Sequence, residues 1–161
     1  MTDKGTVLVT GGSGYIGSWC VIAALQQGYA VRTTVRNLAK EGQVRAAISK
    51  EVDPGNRLAF YAVDLTADDG WDDAAAGCEY VLHVASPIAV AEPKNPDELI
   101  IPARDGARRA AGAAIKAVVK RVVLTSSVAA ASPGTGGPDS VTDETQWTNL
   151  DDPKLSAYGK S

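Results

Sequence analysis

The sequence predicts an α/β fold, a doubly wound parallel sheet with helices on both faces. Short β-branched runs alternate with longer alanine-rich stretches of helical periodicity, the pattern of repeated βαβ units. The runs VLV, VRTTV, LAFYAV, YVLHV and RVVLT are nearly continuously apolar, as strands covered by helices on both faces must be. A glycine-rich turn follows the first run directly.

Taken in order, the first strand is expected at Thr6 to Thr10 and its helix at Tyr15 to Gln27, ended by Gly28. The second strand, Ala30 to Val35, carries one charged intrusion, Arg32, and leads to a helix from Leu38 to Ser49. Leu58 to Ala62 and Trp71 to Ala76 make the third pair, Tyr80 to Val84 the fourth strand. A long helix follows at Asp97 to Val119, with Pro102 tolerable near its start or at a kink, and Arg121 to Thr125 is the fifth strand. Past Ser126 the stretch SPGTGGPDSVTDETQW has no apolar periodicity, and a loop that long inside a compact domain is more often functional than idle.

The 161 residues fit one ordinary domain, residues 1–161. With 45% hydrophobic and 22% charged residues the chain is of the globular class. A net charge of -3 and a pI near 5.1 argue against a nucleic-acid partner, and the Arg108–Arg109 pair is expected to face solvent. No apolar run approaches the ~20 residues that span a bilayer, so no membrane partner is expected. The N-terminus lacks signal-peptide features, and Cys20 and Cys78 read as buried thiols in a reducing compartment, so the expected location is cytoplasmic. One histidine and two distant cysteines make no metal-ligand set. His83, flanked by apolar residues in a strand, reads as a core histidine with one satisfied hydrogen bond, the alternative being a catalytic group.

TVLVTGGSGYIGSW sets Gly11, Gly14 and Gly17 between a strand and a helix. Gly11 suits the tight turn, Gly14 backbone approach to a pyrophosphate, and Gly17 close packing of helix on sheet, while amides at the helix start favour anions. A plain strand-to-helix turn is the alternative. Such sites place Asp or Glu about 20 residues on for NAD, and Arg for NADP. Here Arg36 ends the second strand, with Arg32 and Lys40 nearby and no carboxylate before Glu41. The expected cofactor is therefore NADP(H), the lesser alternative being that Arg36 is a solvated strand-end residue. Asp64 in VDL suits the adenine amino group, or caps a helix.

With TGGSGYIG, VRTTVRN, VDL, LHVASP, LIIPARDG, RVVLTSS and AYGKS in register, the chain resembles the extended short-chain dehydrogenase/reductases. It is most similar to the dihydroflavonol-4-reductase-type branch that includes NADPH-dependent aldehyde and ketone reductases. The resemblance implies a Rossmann sheet and a cofactor site of Gly11, Gly14, Tyr15, Ile16, Gly17, Arg36, Lys40, Asp64, Leu65, Val84, Ala85, Ser86, Thr125 and Ser126. It implies Ser127 as the group that hydrogen-bonds a substrate carbonyl and Tyr158 as the proton donor, with a small-molecule aldehyde or ketone as partner. The family's lysine, four residues after the tyrosine, would be residue 162; Lys160 would project to another side of a helix. The chain is accordingly expected to be the N-terminal part of a longer reductase, truncated before the last strand(s) and the substrate lobe. Ending at Ser161, it is expected to be inactive and marginally stable.

Asp105 stands where the family has an asparagine in a proton relay, and Ser132 where plant flavonoid reductases carry a substrate-selecting Asn or Asp. The first puts that relay in question, and the second favours a broader aldehyde or ketone reductase over a flavonoid enzyme. The alternatives are a sugar-nucleotide epimerase or dehydratase, and a non-catalytic NADP(H) sensor.

Overall fold

The computed structural model describes residues 4–88, 93–132 and 141–161, so residues 133–140 of the expected long loop lie outside the described residues. The chain divides into two compact units, residues 1–86 with 105–125, and residues 87–104 with 126–161.

The first unit holds a five-stranded parallel sheet: β1 (Thr6–Val9), β2 (Ala30–Val35), β3 (Leu58–Ala62), β4 (Tyr80–His83) and β5 (Arg121–Leu124), in the order β3-β2-β1-β4-β5. This is the Rossmann arrangement, in which the strand order reverses between β1 and β4. In β1, Val7 and Val9 face the cluster formed with α1 (Tyr15–Gln26) and α2 (Glu41–Ile48). Leu8 joins the opposite cluster, with Trp71 of α3 (Trp71–Ala75) and Ala110, Ala113 and Ala114 of α4 (Asp97–Lys116). Burial on both faces explains why its residues form an unbroken apolar run.

The predicted elements are present, and their boundaries follow local chemistry. α1 ends as expected at Gly28: its amide donates to Leu25 O and that of Tyr29 to Ala24 O, with φ +92° at the glycine. The helix expected over Leu38 to Ser49 instead begins as a 3-10 turn, Leu38–Lys40, because the Asn37 side chain accepts the Ala39 amide and tightens that turn. α4 stops at Lys116 rather than Val119, since Val118 takes a left-handed φ of +54°. Pro102 lies inside α4 and removes one of its hydrogen bonds.

Arg32 needs no solvent: its guanidinium donates to the carbonyls of Asp73 and Ala74 and lies over the Tyr61 ring. Cys78 is buried and burial pushes its thiol pKa up, whereas Cys20, expected to be buried, is only partly so. All four residues of β5 are exposed.

The second unit contains the first part of α4, a 3-10 turn at Val128–Ala131 and α5 (Ala157–Lys160). Thr148 staples residues 129–132, its amide donating to Ala130 O at 3.0 Å and its hydroxyl to Ala129 O. Among the described residues no helix is long and apolar enough to cross a membrane.

Candidate active site

Glycine is required where β1 turns into α1 because three chain segments crowd there. Gly11 has φ +76°, and a Cβ on it would lie 3.1 Å from Ala85 Cα. A Cβ on Gly17 would sit 2.1 Å from Gly11 O, so Gly17 lets the helix approach the turn itself rather than the sheet. Gly12, not singled out from the sequence, is equally constrained, at 2.0 Å from Thr33 Oγ1. Gly14 is the N-cap of α1, its amide folding back to Gly11 O at 2.9 Å. No side chain caps this helix, so by helix geometry the amides of Tyr15, Ile16 and Gly17 have no intrahelical acceptor. A glycine-lined turn opening on uncapped amides fits a dinucleotide's phosphates.

The turn is held by side chains that sequence reasoning missed. Thr34 Oγ1 accepts the Gly11 amide at 3.0 Å, Thr34 O accepts that of Gly12, and Thr33 Oγ1 donates to Val9 O. Thr10 Oγ1 accepts two amides, those of Val84 and Ala85, each at 3.0 Å. Both its lone pairs are then used, so its proton goes to His83 Nδ1, 2.9 Å away. His83 therefore holds its own proton on Nε2 and is neutral; it is a core residue, 4% exposed, as expected. The network fixes residues 84–85, beyond β4, beside Gly11 at the reversal point of the sheet. Thr125 extends the next pairing, its amide donating to His83 O.

Burial lowers the His83 pKa, and protonating Nδ1 would set a donor against a hydroxyl with no free lone pair. Its folded pKa lies below the unfolded value of about 6.5, so the associated stability is present above that pH and lost as pH falls below it. Thermal melts across pH 7.5 to 5 (roughly, bracketing the unfolded value) should show this decline, and His83→Asn, which keeps an acceptor for Thr10 but does not titrate, should flatten it.

Arg36, which follows β2, and Lys40, which ends the 3-10 turn, are exposed. Asp64 Oδ1 accepts both the amide (2.8 Å) and hydroxyl (2.6 Å) of Thr66, which hold its pKa below the ordinary value, with smaller help from Arg36 and Arg109. Asp64 is thus an anion, capping a turn and still able to accept from a ligand through Oδ2. Arg109 does not face solvent as expected of the Arg pair: it donates to Leu65 O at 2.8 Å and pairs with Asp68, while Arg108 remains exposed.

In the second unit, Ser127 ends the extended stretch after β5 and caps the 3-10 turn, its Oγ accepting the Ala129 amide at 3.2 Å. Ser156 caps α5 by accepting the Gly159 amide at 3.1 Å. The Leu155 side chain packs over Gly159, where a Cβ would lie 2.5 Å from Leu155 Cδ1. The two caps bring Tyr158 Oη to 3.0 Å from Ser127 Oγ, with Tyr158 45% exposed. One carbonyl oxygen can contact both hydroxyls at that separation. Lys160 is exposed, and Ser132 turns its hydroxyl inward to Val128 O. Asp105 faces Arg108 at 3.8 Å. No cluster of metal-ligating side chains occurs among the described residues.

The sequence profile of the NAD dependent epimerase/dehydratase family matches residues 7–161. The dihydroflavonol 4-reductase of Zea mays is 38% identical over 157 residues, which cover 93% of this chain and 42% of that protein. Cinnamoyl-CoA reductase 1 of Arabidopsis thaliana is 38% identical over 148 residues, covering 91% and 41%. Among solved structures, vestitone reductase from alfalfa (Medicago sativa) superposes with a TM-score of 0.70 at 31% identity, over 92% of this chain and 44% of that one. The chain spans less than half the length of each of these relatives.

Proposed function

We propose, since the chain belongs to the NAD dependent epimerase/dehydratase family, that it supplies the cofactor-binding and proton-donating parts of an NADP(H)-dependent reductase of aldehydes or ketones. The observation that carries this reading is the Ser127–Tyr158 pair of hydroxyls, 3.0 Å apart. Reductases among its relatives support the reaction class.

When bound, the nicotinamide would supply the hydride. Ser127 Oγ already accepts two hydrogen bonds, from Ala129 and Tyr158, so its own proton is free for a carbonyl oxygen. Tyr158 then turns its proton from Ser127 to that same oxygen and delivers it as negative charge develops there. Donors aimed at the developing alkoxide bind it better than the ground-state carbonyl, and that difference accelerates the step. The phosphates belong to Gly14, Tyr15, Ile16 and Gly17, the 2′-phosphate to Arg36 with Lys40, the adenine to Asp64 and Leu65, with Val84, Ala85, Ser86, Thr125 and Ser126 toward the nicotinamide. Cytoplasmic location and the expected domain organisation belong to the same reading.

NADPH absorbance should be followed in the whole protein with a panel of aliphatic and aromatic aldehydes and ketones beside UDP-glucose. Stoichiometric NADPH oxidation with a simple carbonyl is expected. Interconversion of the sugar nucleotide without net oxidation, and no turnover of any carbonyl, would replace the reductase with an epimerase.

A further inference from the structure

The loop that follows β3, residues 64–68, is held from three directions. Within the loop, Thr66 takes both available bonds of Asp64 Oδ1. From below, the Trp71 indole N–H donates to Ala67 O at 3.0 Å and lies 3.3 Å from Asp64 O. From α4, Gly106 leaves room for Leu65: a Cβ there would fall 2.6 Å from Leu65 Cδ2. One turn on, Arg109 spans the loop, with Nη1 on Leu65 O and Nε on the Asp68 carboxylate.

The guanidinium is largely covered, 24% exposed, whereas Asp68 is 87% exposed. An ion pair to so exposed a carboxylate contributes little by itself. The carbonyl bond is the consequential one, since a fixed fork determines where Leu65 O points and hence where the adjoining Asp64 carboxylate points. Arg109 thereby joins Leu65 and Asp68 of this loop to α4.

We propose that Arg109 is a positioning residue for the adenosine half of the cofactor, setting the Asp64–Leu65 segment so that the free carboxylate oxygen of Asp64 meets the exocyclic amine of the purine. This rests on the reading of the turn as a dinucleotide site. The lowered pKa of Asp64 is consistent with it, because an acceptor for an amine must stay ionised.

Equilibrium binding of NADPH, adenosine 2′,5′-bisphosphate and reduced nicotinamide mononucleotide should be measured for the protein and for Arg109→Ala and Arg109→Lys, with thermal melts of each. Arg109→Ala should weaken NADPH and the bisphosphate roughly tenfold, the order expected when a charge-assisted bond that orients a ligand group is lost, and leave the mononucleotide unchanged. Arg109→Lys, which keeps the charge and is the safer variant for folding, should recover part of the loss, because a point charge can reach one acceptor but not both. Asp68→Asn should change affinity by less than about threefold, as an exposed pair would.

Wild-type affinity for the bisphosphate in either folded Arg109 variant overturns the proposal. So does equal weakening of all three ligands, which would mark a general loss of structure. Should the unmutated protein bind neither NADPH nor the bisphosphate, the dinucleotide reading itself fails, and the two failures are thereby distinct.

Discussion

Tyr158→Phe in the whole protein is expected to lower kcat by roughly two to four orders of magnitude, the range for removal of a general acid. The substitution deletes one oxygen, the one 3.0 Å from Ser127 Oγ, and leaves the ring on α5. That atom belongs to the second unit, whereas Gly14, Arg36 and Asp64 belong to the first, so NADPH affinity should hardly change. Losses in kcat and kcat/KM should therefore be similar, the signature of an interaction made in the transition state. Initial rates with the best carbonyl, together with NADPH Kd by fluorescence, decide the matter. Undiminished turnover by the phenylalanine variant would remove Tyr158 from the mechanism.

Arg36→Ala is expected to weaken NADPH by about 1.5 to 3 kcal/mol while leaving NADH nearly untouched, since only the former has a 2′-phosphate to lose a charge-assisted bond. Arg36 is exposed, so the preference for NADPH should also shrink as salt is raised. Lys40, at the end of the 3-10 turn that follows, should retain part of the selectivity. Titration of both nucleotides against both proteins gives the result, and equal affinity of the unmutated protein for NADH and NADPH would count against the assignment.

The central strands β1 and β4 were legible because they pack on two faces, so a single property, unbroken apolarity, marks them; helix ends were legible where one glycine dictates them, as at Gly28. The split of the Leu38 to Ser49 helix was not, because a single hydrogen bond from Asn37 decides between two helical pitches of similar energy. In the candidate site, glycines and the Ser127 and Tyr158 motifs stand out by spacing. Thr10, Thr33 and Thr34 do not, because threonine is an ordinary strand residue and its role appears only when a neighbouring chain brings it an amide. Arg109 was misread for a related reason. Two adjacent arginines look alike in sequence, but they point about 100° apart on a helix, and only one finds the Leu65 carbonyl.

Thr10, Thr33, Thr34 and His83 are the buried polar residues of the described chain, and all four gather where β1, β2 and β4 end. Such groups are tolerated in an apolar interior only when every partner is in place, so the glycine turn and residues 84–85 have one low-energy arrangement rather than several. Their backbone freedom is surrendered when the sheet forms. A nucleotide arriving later meets amides that already point outward and need no ordering, so its association loses less entropy than binding to a pliant loop would. The same rigidity makes the region intolerant of compromise: an acceptor removed from this end of the sheet leaves a partly buried amide without its partner, and the loss is felt in the folding of the strands and in the fit of the phosphate together.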